Sequence, residues 1–383
     1  MAGIFGANAS GKSNVISAFS YLSEMVGLSD RISEPGPEFR PRREPFRLDP
    51  DMMGQPSSYA VDILIHGVRH TYGFAIDDHE ITEEWLYAYP LKRKRIVFER
   101  TKLHFEWGEE SRRSTIRRLE EIIAPTALFL SVSARFDAQA SATRARDETT
   151  VALHETFNWI YRGISRVRST TTSRRSWARW LMAPGRGPAV VELLRAADIG
   201  LEGVSVLTPV EVDLDNESRR ERIQFLHHGS NGNVPFDLTD ESSGTLRLFE
   251  LTARALPILE DGGLFLVDEI DASLHPLLTT TLIRLFQSPD ANKSHAQLVF
   301  TTHDATLLGS IDGEDVLRRD EVWFTSKRGD GSSELFPLAE FKPRRQGENR
   351  QKRYLNGSYG AIPDLSMSMF ERAVTSRVDT DGE

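Results

Sequence analysis

The chain has 383 residues, 39% of them hydrophobic and 27% charged, with 56 acidic against 47 basic side chains and a net charge of −9. That balance excludes a small basic protein that coats nucleic acid, and it fits a soluble globular protein with room for roughly two domains. The lack of cysteine excludes a disulfide framework and any thiol or Cys-zinc chemistry.

In chain order, Met1–Phe5, the glycine-rich run Gly6–Ser13 and the pattern Val15, Ile16, Phe19, Leu22, Met25 predict a strand, a loop and an amphipathic helix. Residues 29–57 are rich in proline and charge and read as a long connection, in which Gln55 is a weak candidate for a glutamine loop. From Tyr59 to Trp107 the runs SYAVDILI, HTYGFAI, ITEEWLYAY, KRIVFER and KLHFEW, separated by turn residues, predict an antiparallel meander. Residues 111–200 predict mainly helix, broken near Thr170–Ser173 and at Pro184–Pro188. After Gly203 come strands at VSVLTPVEVDL and RIQFLHH, a helix from Ser243 to Leu259, and an apolar strand at Leu264–Val267. A helix from Pro276 and strands at Gln297–Thr302 and Glu321–Thr325 follow. Apolar strands alternating with helices predict an α/β fold whose sheet is covered on both faces.

No stretch approaches the roughly 20 apolar residues of a bilayer-crossing helix, and the start lacks the regions of a signal peptide. A cytoplasmic location without a membrane partner is expected. Charge is segregated: Phe157–Val191 holds seven arginines (Arg162, Arg166, Arg168, Arg174, Arg175, Arg179, Arg186) and no acidic residue.

The chemistry-bearing residues lie near both ends. Gly6-Ala7-Asn8-Ala9-Ser10-Gly11-Lys12-Ser13, followed by Asn14, fits G-x-x-x-x-G-K-[ST] at every constrained position. Glycines let backbone N–H groups turn in around phosphates, Lys12 reaches the terminal phosphates, and the Ser13 hydroxyl is a ligand for Mg²⁺. Leu264-Phe265-Leu266-Val267-Asp268-Glu269 supplies the second half: a buried strand ends at Asp268 as the metal carboxylate, and Glu269 polarises the attacking water. Three weaker pieces follow the same logic. Ser242-Ser243-Gly244 opens a helix, Asp271 follows the glutamate by two residues, and His303 follows another apolar strand in Phe300-Thr301-Thr302-His303-Asp304. Each also has a plain alternative: an N-cap for Ser242, a turn for Asp271, a surface histidine for His303.

This order of motifs resembles the ABC-type AAA-family ATPases of the SMC and RecF kind. The resemblance implies an ABC-type P-loop head in which Lys12 and Ser13 bind phosphate and Mg²⁺, Asp268 supports the metal, Glu269 is the catalytic base and His303 the switch. It also implies a homodimer or higher homo-oligomer that sandwiches ATP between heads, with Ser242, Ser243 and Gly244 acting in trans. The wording GIFGANASGKSN, ESSGTLRLFEL, LVDEIDASLHPLL, FTTHD and the tail YLNGSYGAIP is similar to bacterial ATPases related to the OLD proteins, most of all the RloA or AbiL type of phage-defence operons. The tail reads equally well as a terminal segment docked on the core by its turn chemistry.

Two features depart from the pattern: only five residues precede Gly6, and no glutamine loop is placed with assurance. The tail also lacks the acidic cluster of a Toprim nuclease, so the resemblance implies a separately encoded effector, such as a Toprim protein. The expected organisation is residues 1–110 as the first part of the head with an antiparallel β subdomain, 111–202 as a helical arginine-rich arm, and 203–383 as the rest of the head. Arg166, Arg168, Arg174, Arg175 and Arg179, interleaved with aromatics, are candidate contacts to nucleic acid or a partner, against the plainer reading of a solvated face. The same choice applies to Lys92–Arg95 as a hairpin-end cluster. The competing functions are a defence switch controlling an effector, a RecF-like or SMC-like repair ATPase that clamps nucleic acid itself, and an ATP-binding scaffold without turnover, which the intact Glu269 and His303 disfavour.

Overall fold

The computed structural model describes residues 1–33, 43–139, 147–167, 181–182, 185–197, 200–207, 222–342 and 348–363. It divides into two compact units, one comprising Ser13–Thr301 with Met1, the other Ala2–Lys12 together with Thr302–Glu383.

The expected meander forms the first sheet of the larger unit. Strands β2 (Ser57–Ile65), β3 (Val68–Ile76), β4 (Ile81–Ala88), β5 (Arg95–Thr101) and β6 (His104–Trp107) lie side by side in chain order, all antiparallel. Their register is set at the β2–β3 hairpin, where His66 and Gly67 both adopt positive φ, at 49° and 79°. That pair of left-handed residues matches the right-handed twist of the flanking strands. One face buries Tyr72, Phe74, Leu86 and Phe98 against Leu22, Met25 and Val26 of the Lys12–Leu28 helix and against Phe129 of the Phe129–Gln139 helix. Inside this apolar layer sit two ionisable side chains, Glu84 and Arg100, both fully buried and paired at 3.3 Å.

A second set of strands in this unit is parallel. The strand β11 (Leu264–Val267) runs parallel to β7 (Ile164–Val167) on one side and to β12 (Gln297–Thr301) on the other. All four β11 residues are buried, which is why the sequence reads as an unbroken apolar run. Ile16, one turn beyond the glycine-rich loop, packs on Leu264 and Leu266. The strand β7 departs from the mainly helical expectation for 111–200. Four residues pairing with a buried neighbour are too few for sequence periodicity to reveal. The helices Glu148–Tyr161 and Arg186–Ala196 lie on either side of it in the chain.

A third sheet, β8 (Leu201–Leu207), β9 (Arg222–Gly229) and β10 (Gly232–Asp237), packs on the Ser243–Asp261 helix, with the Phe225 and Phe249 rings edge to face at 5.2 Å. Sequence reasoning missed β10. Its GNVPFD wording is poor in strand formers, and Pro235 is tolerated on an edge strand, where one row of N–H groups needs no partner. The second half of the strand expected at VSVLTPVEVDL lies outside the described residues.

In the smaller unit, β1 (Ala2–Gly6) runs parallel to β15 (Val322–Lys327), which pairs antiparallel with β16 (Ser333–Pro337). The two-residue strands β13 (Ser310–Ile311) and β14 (Glu314–Asp315) close a small turn. Phe324 of β15 is the centre of an aromatic cluster: Tyr354 stacks on it at 5.6 Å and Tyr359 at 5.1 Å, and Phe5 contacts both Phe324 and Tyr354. The tail segment therefore docks on the core through its tyrosines. Its Arg350–Leu355 helix is fixed by Arg350, which donates to Leu317 O at 2.9 Å.

Candidate nucleotide site

The glycine-rich loop belongs to the smaller unit up to Lys12. Its turn is closed by Ser10 N donating to Ala7 O at 3.3 Å, with Ala9 and Gly11 at φ 60° and 102°. Gly6 has a steric reason to be glycine: a Cβ there would lie 2.5 Å from Thr325 O and Oγ1 and 2.7 Å from Ser10 Oγ. Thr325, on β15, anchors the loop through a 2.6 Å hydrogen bond between its Oγ1 and Ser10 Oγ. Nothing in its sequence setting marks Thr325, because the contact is made by strand pairing across 315 positions. Lys12 is buried and spans the loop, its Nζ donating to Gly6 O at 2.8 Å and Ala7 O at 3.0 Å. Asn8, Ser13 and Asn14 are exposed.

In the larger unit, the Ser13 hydroxyl donates to Asp268 Oδ1 at 3.0 Å. The same Oδ1 accepts from Thr301 Oγ1 at 2.6 Å, and Thr301 Oγ1 accepts in turn from Glu269 N at 2.8 Å. Thr301 ends β12, so the pairing of β12 with β11 brings its hydroxyl to both acidic positions. Glu269 itself has φ 52°, the left-handed region, which costs a non-glycine residue about 1–2 kcal/mol and is common where function fixes the backbone. One acceptor, Thr301 Oγ1, and one donor, Arg247, hold it there. Besides Thr301, Arg247 of the Ser243–Asp261 helix donates through Nη2 to Asp268 O at 2.9 Å and to Glu269 O at 3.1 Å. Arg247 was not singled out in the sequence. Its position one turn into the helix after Ser242-Ser243-Gly244 is the only hint available there.

The hydroxyl of Ser13 and the carboxylate of Asp268 form a hard oxygen pair, the donor set that suits Mg²⁺, which usually takes one or two protein oxygens and completes its shell with phosphate and water. The residues present therefore fit a magnesium nucleotide. Among the described residues no cluster of three or more His, Cys, Asp or Glu could hold a metal by protein ligands alone.

Ser242 is the N-cap of its helix, its Oγ accepting from Thr245 N at 3.0 Å, and both Ser242 and Ser243 are exposed. Gly244 lies against the segment after Glu269: a Cβ on it would stand 2.9 Å from Ser273 O. Asp271 is in that segment, where Ala272 N donates to Glu269 O at 3.0 Å and Leu274 N to Asp271 O at 3.1 Å. The N-cap and turn readings of Ser242 and Asp271 are thus both observed, and neither conflicts with a further role for an exposed side chain at the start of a helix. Farther along the same helix, burial pushes the Glu250 carboxyl up against the pull of Arg254 and Arg247, and burial also pulls the Arg254 guanidinium down. Arg254 donates to Arg166 O at 2.9 Å.

His303 follows β12 in the smaller unit and is exposed, between Thr302, whose N donates to Ile4 O at 3.1 Å, and Asp304, which caps the short helix Ala305–Leu308. Arg166 is built into β7 and half-buried. Arg168, Arg174, Arg175 and Arg179 lie outside the described residues. Gln55 sits in the loop after the short Pro50–Met53 helix, its carbonyl accepting from Arg43 at 2.5 Å.

Residues 1–309 match the family model described as "AAA domain, putative AbiEii toxin, Type IV TA system". Among solved structures, the chain is similar to an SMC head domain from Thermotoga maritima at 14% identity and a TM-score of 0.38, covering 88% of this chain and 89% of that one. A SMC head bound to the C-winged helix domain of ScpA is similar at 16% identity and a TM-score of 0.36, over 89% and 91% of the two chains. A SMC head with coiled coil and joint from Pyrococcus yayanosii follows at 16% identity and a TM-score of 0.29, over 59% and 37%. No curated protein matches the chain. Among the described residues no helix is long and apolar enough to cross a membrane.

Proposed function

The chain belongs to this AAA-domain family, and on that premise we propose that it is an ATP-hydrolysing switch of the ABC type. The observation that carries the reading is the Ser13–Asp268 hydrogen bond, which joins the last residue of the phosphate-loop motif to the carboxylate at the end of the apolar strand. The backbone of the Gly6–Ser13 loop and the Lys12 ammonium would hold the phosphates of ATP, and Ser13 with Asp268 would hold Mg²⁺. When bound, Mg²⁺ neutralises charge on the phosphate oxygens as the terminal phosphoryl group leaves. Glu269 orients the attacking water and draws off its proton, and His303 donates to the terminal phosphate.

Ser242 and Ser243 are exposed at the start of a helix, whose free N–H groups favour an anion. They support the further proposal that these residues and Gly244 complete the site of a second copy, so that ATP joins two chains. At the level of the cell, the wording of the motifs supports an antiphage, abortive-infection switch in the cytoplasm that restrains or releases a separately encoded effector, such as a Toprim nuclease. The alternative of direct nucleic-acid clamping rests on arginines of which Arg166 is a strand residue, and it has the weaker support.

The test is ATP turnover by the full chain with and without Mg²⁺, alongside Glu269→Gln. Expected are Mg²⁺-dependent hydrolysis in the wild type and ATP-dependent self-association that persists in the variant, which binds without turning over. A chain that binds no Mg-ATP sinks the reading. For the effector, co-purification of the full chain with its neighbouring gene product is expected, and a chain that carries no partner into the eluate removes that part.

A further inference from the structure

We infer that Glu241 and His227 form a clamp that positions the exposed serines of the Ser242-Ser243-Gly244 segment, so that both residues act on turnover without touching the nucleotide. The inference rests on the proposed ATPase reading and names a means of regulating that same site.

The geometry is local and asymmetric. Ser242 and Ser243 are exposed, while the side chain of Glu241, immediately before them, is only 4% exposed. Its Oε1 lies 2.5 Å from Nε2 of His227, on the central strand β9, and the His227 ring packs on Phe236 of β10 with centroids 4.8 Å apart. A carboxylate taken so far out of water needs a donor, and the imidazole N–H is the one the structure supplies. The approach to this point is also fixed: Asp237 ends β10, accepts from Gln224 at 3.1 Å, and closes a turn in which Asp240 N donates to Asp237 O at 2.9 Å.

Downstream, the segment is already held by the Ser242 N-cap and by the close approach of Gly244 to Ser273 O. Upstream, the Glu241–His227 contact ties it to the β8–β10 sheet. Losing it leaves the helix capped and the fold intact but frees the serines to turn about the chain entering the helix. In a site where a second copy supplies those serines, such freedom lowers the rate of the assembled pair and leaves the first copy's own grip on ATP unchanged.

The experiment uses the full chain with Mg-ATP: kcat, KM and ATP-driven self-association for Glu241→Ala, His227→Ala, the double variant, and the conservative His227→Gln and Glu241→Gln. Expected are a kcat about tenfold lower in each alanine variant with KM for ATP changed less than about twofold, a double variant no worse than either single one, and recovery to within about threefold in the glutamine variants. Each alanine variant removes the same bond, so where one does not fold the other carries the test. Wild-type kcat in the alanine variants, an additive double variant, or KM rising in parallel overturns the clamp while the ATPase reading stands. A wild type that neither binds nor hydrolyses Mg-ATP overturns both.

Discussion

Ser13 and Asp268, 255 positions apart in the chain, meet in a 3.0 Å hydrogen bond from hydroxyl to carboxylate. Ser13 is exposed, so the contact contributes little to stability and its value lies in holding two oxygens together. Ser13→Ala and Asp268→Asn are therefore expected to melt within about 2 °C of the wild type while Mg²⁺-dependent hydrolysis falls by about 100-fold. Mg²⁺ titrations of the ATPase rate at fixed ATP check this, and a variant that keeps the wild-type Mg²⁺ response refutes the metal role.

Thr301 is the residue that makes the acidic pair one structure, accepting from Glu269 N and donating to Asp268. Thr301→Val keeps the shape but leaves a main-chain N–H without its acceptor, at a cost of about 1–3 kcal/mol. Because Glu269 is held in the left-handed region by that bond, turnover should fall further than stability alone explains. Thr301→Ser should restore most of both. Paired urea melts and ATPase rates for the two variants separate the effects.

Arg247 holds the same backbone from the other side through Asp268 O and Glu269 O. Arg247→Ala removes both bonds from a half-buried site and also takes one of the two arginines from Glu250, whose carboxyl burial already pushes up, leaving it the Arg254 ion pair at 3.6 Å. Expected are a loss of about 2–3 kcal/mol and a drop in kcat larger than any rise in KM. Equal changes in kcat and KM would mean that Arg247 supports nucleotide binding instead.

What the sequence made legible follows from how local each signal is. The loop at Gly6–Ser13 and the run Leu264–Glu269 are contiguous, and their spacing alone points to phosphate and metal chemistry. The meander was legible because its strands are runs of β-branched and aromatic residues joined by recognisable turns. Thr301, Thr325 and Arg247 were not, since each acts on residues far away in the chain and only strand pairing or helix packing delivers it. The strand β7 is hidden inside a helical stretch for a related reason: four residues suffice when a buried neighbour supplies the hydrogen bonds, and Arg166 within it looked like surface charge.

Glycine at position 6 is demanded by its neighbours. A Cβ would stand 2.5 Å from the Thr325 carbonyl, a main-chain atom that cannot step aside without moving β15. Gly6→Ala is expected to cost about 1–3 kcal/mol, with nucleotide affinity reduced by the displaced loop. Thr325→Ala removes Oγ1 but not the carbonyl, so it should not rescue Gly6→Ala. A double variant as stable as Thr325→Ala alone would show that the clash is with the side chain only.

The buried Glu84–Arg100 pair offers a stability test away from the nucleotide site. Glu84 accepts from Phe129 N at 2.7 Å, from Leu130 N at 3.0 Å and from Tyr72 OH at 3.0 Å, and Arg100 also donates to Ala127 O at 2.8 Å. Glu84→Ala strands a guanidinium and two amides in the core and should cost about 3–5 kcal/mol. Glu84→Gln keeps an acceptor and should cost less. The pH dependence has a definite sign. Burial holds the Glu84 carboxyl above its ordinary range despite Arg100 and the amides. A carboxyl raised in the folded state contributes its stability below the unfolded value of about 4.3 and loses it as pH climbs through the raised value. The advantage of wild type over Glu84→Gln should therefore be largest near pH 4 and shrink toward pH 7 in paired denaturant melts. An advantage that grows with pH would instead mean that Arg100 and the amides outweigh burial, and that the pair is held together as charges.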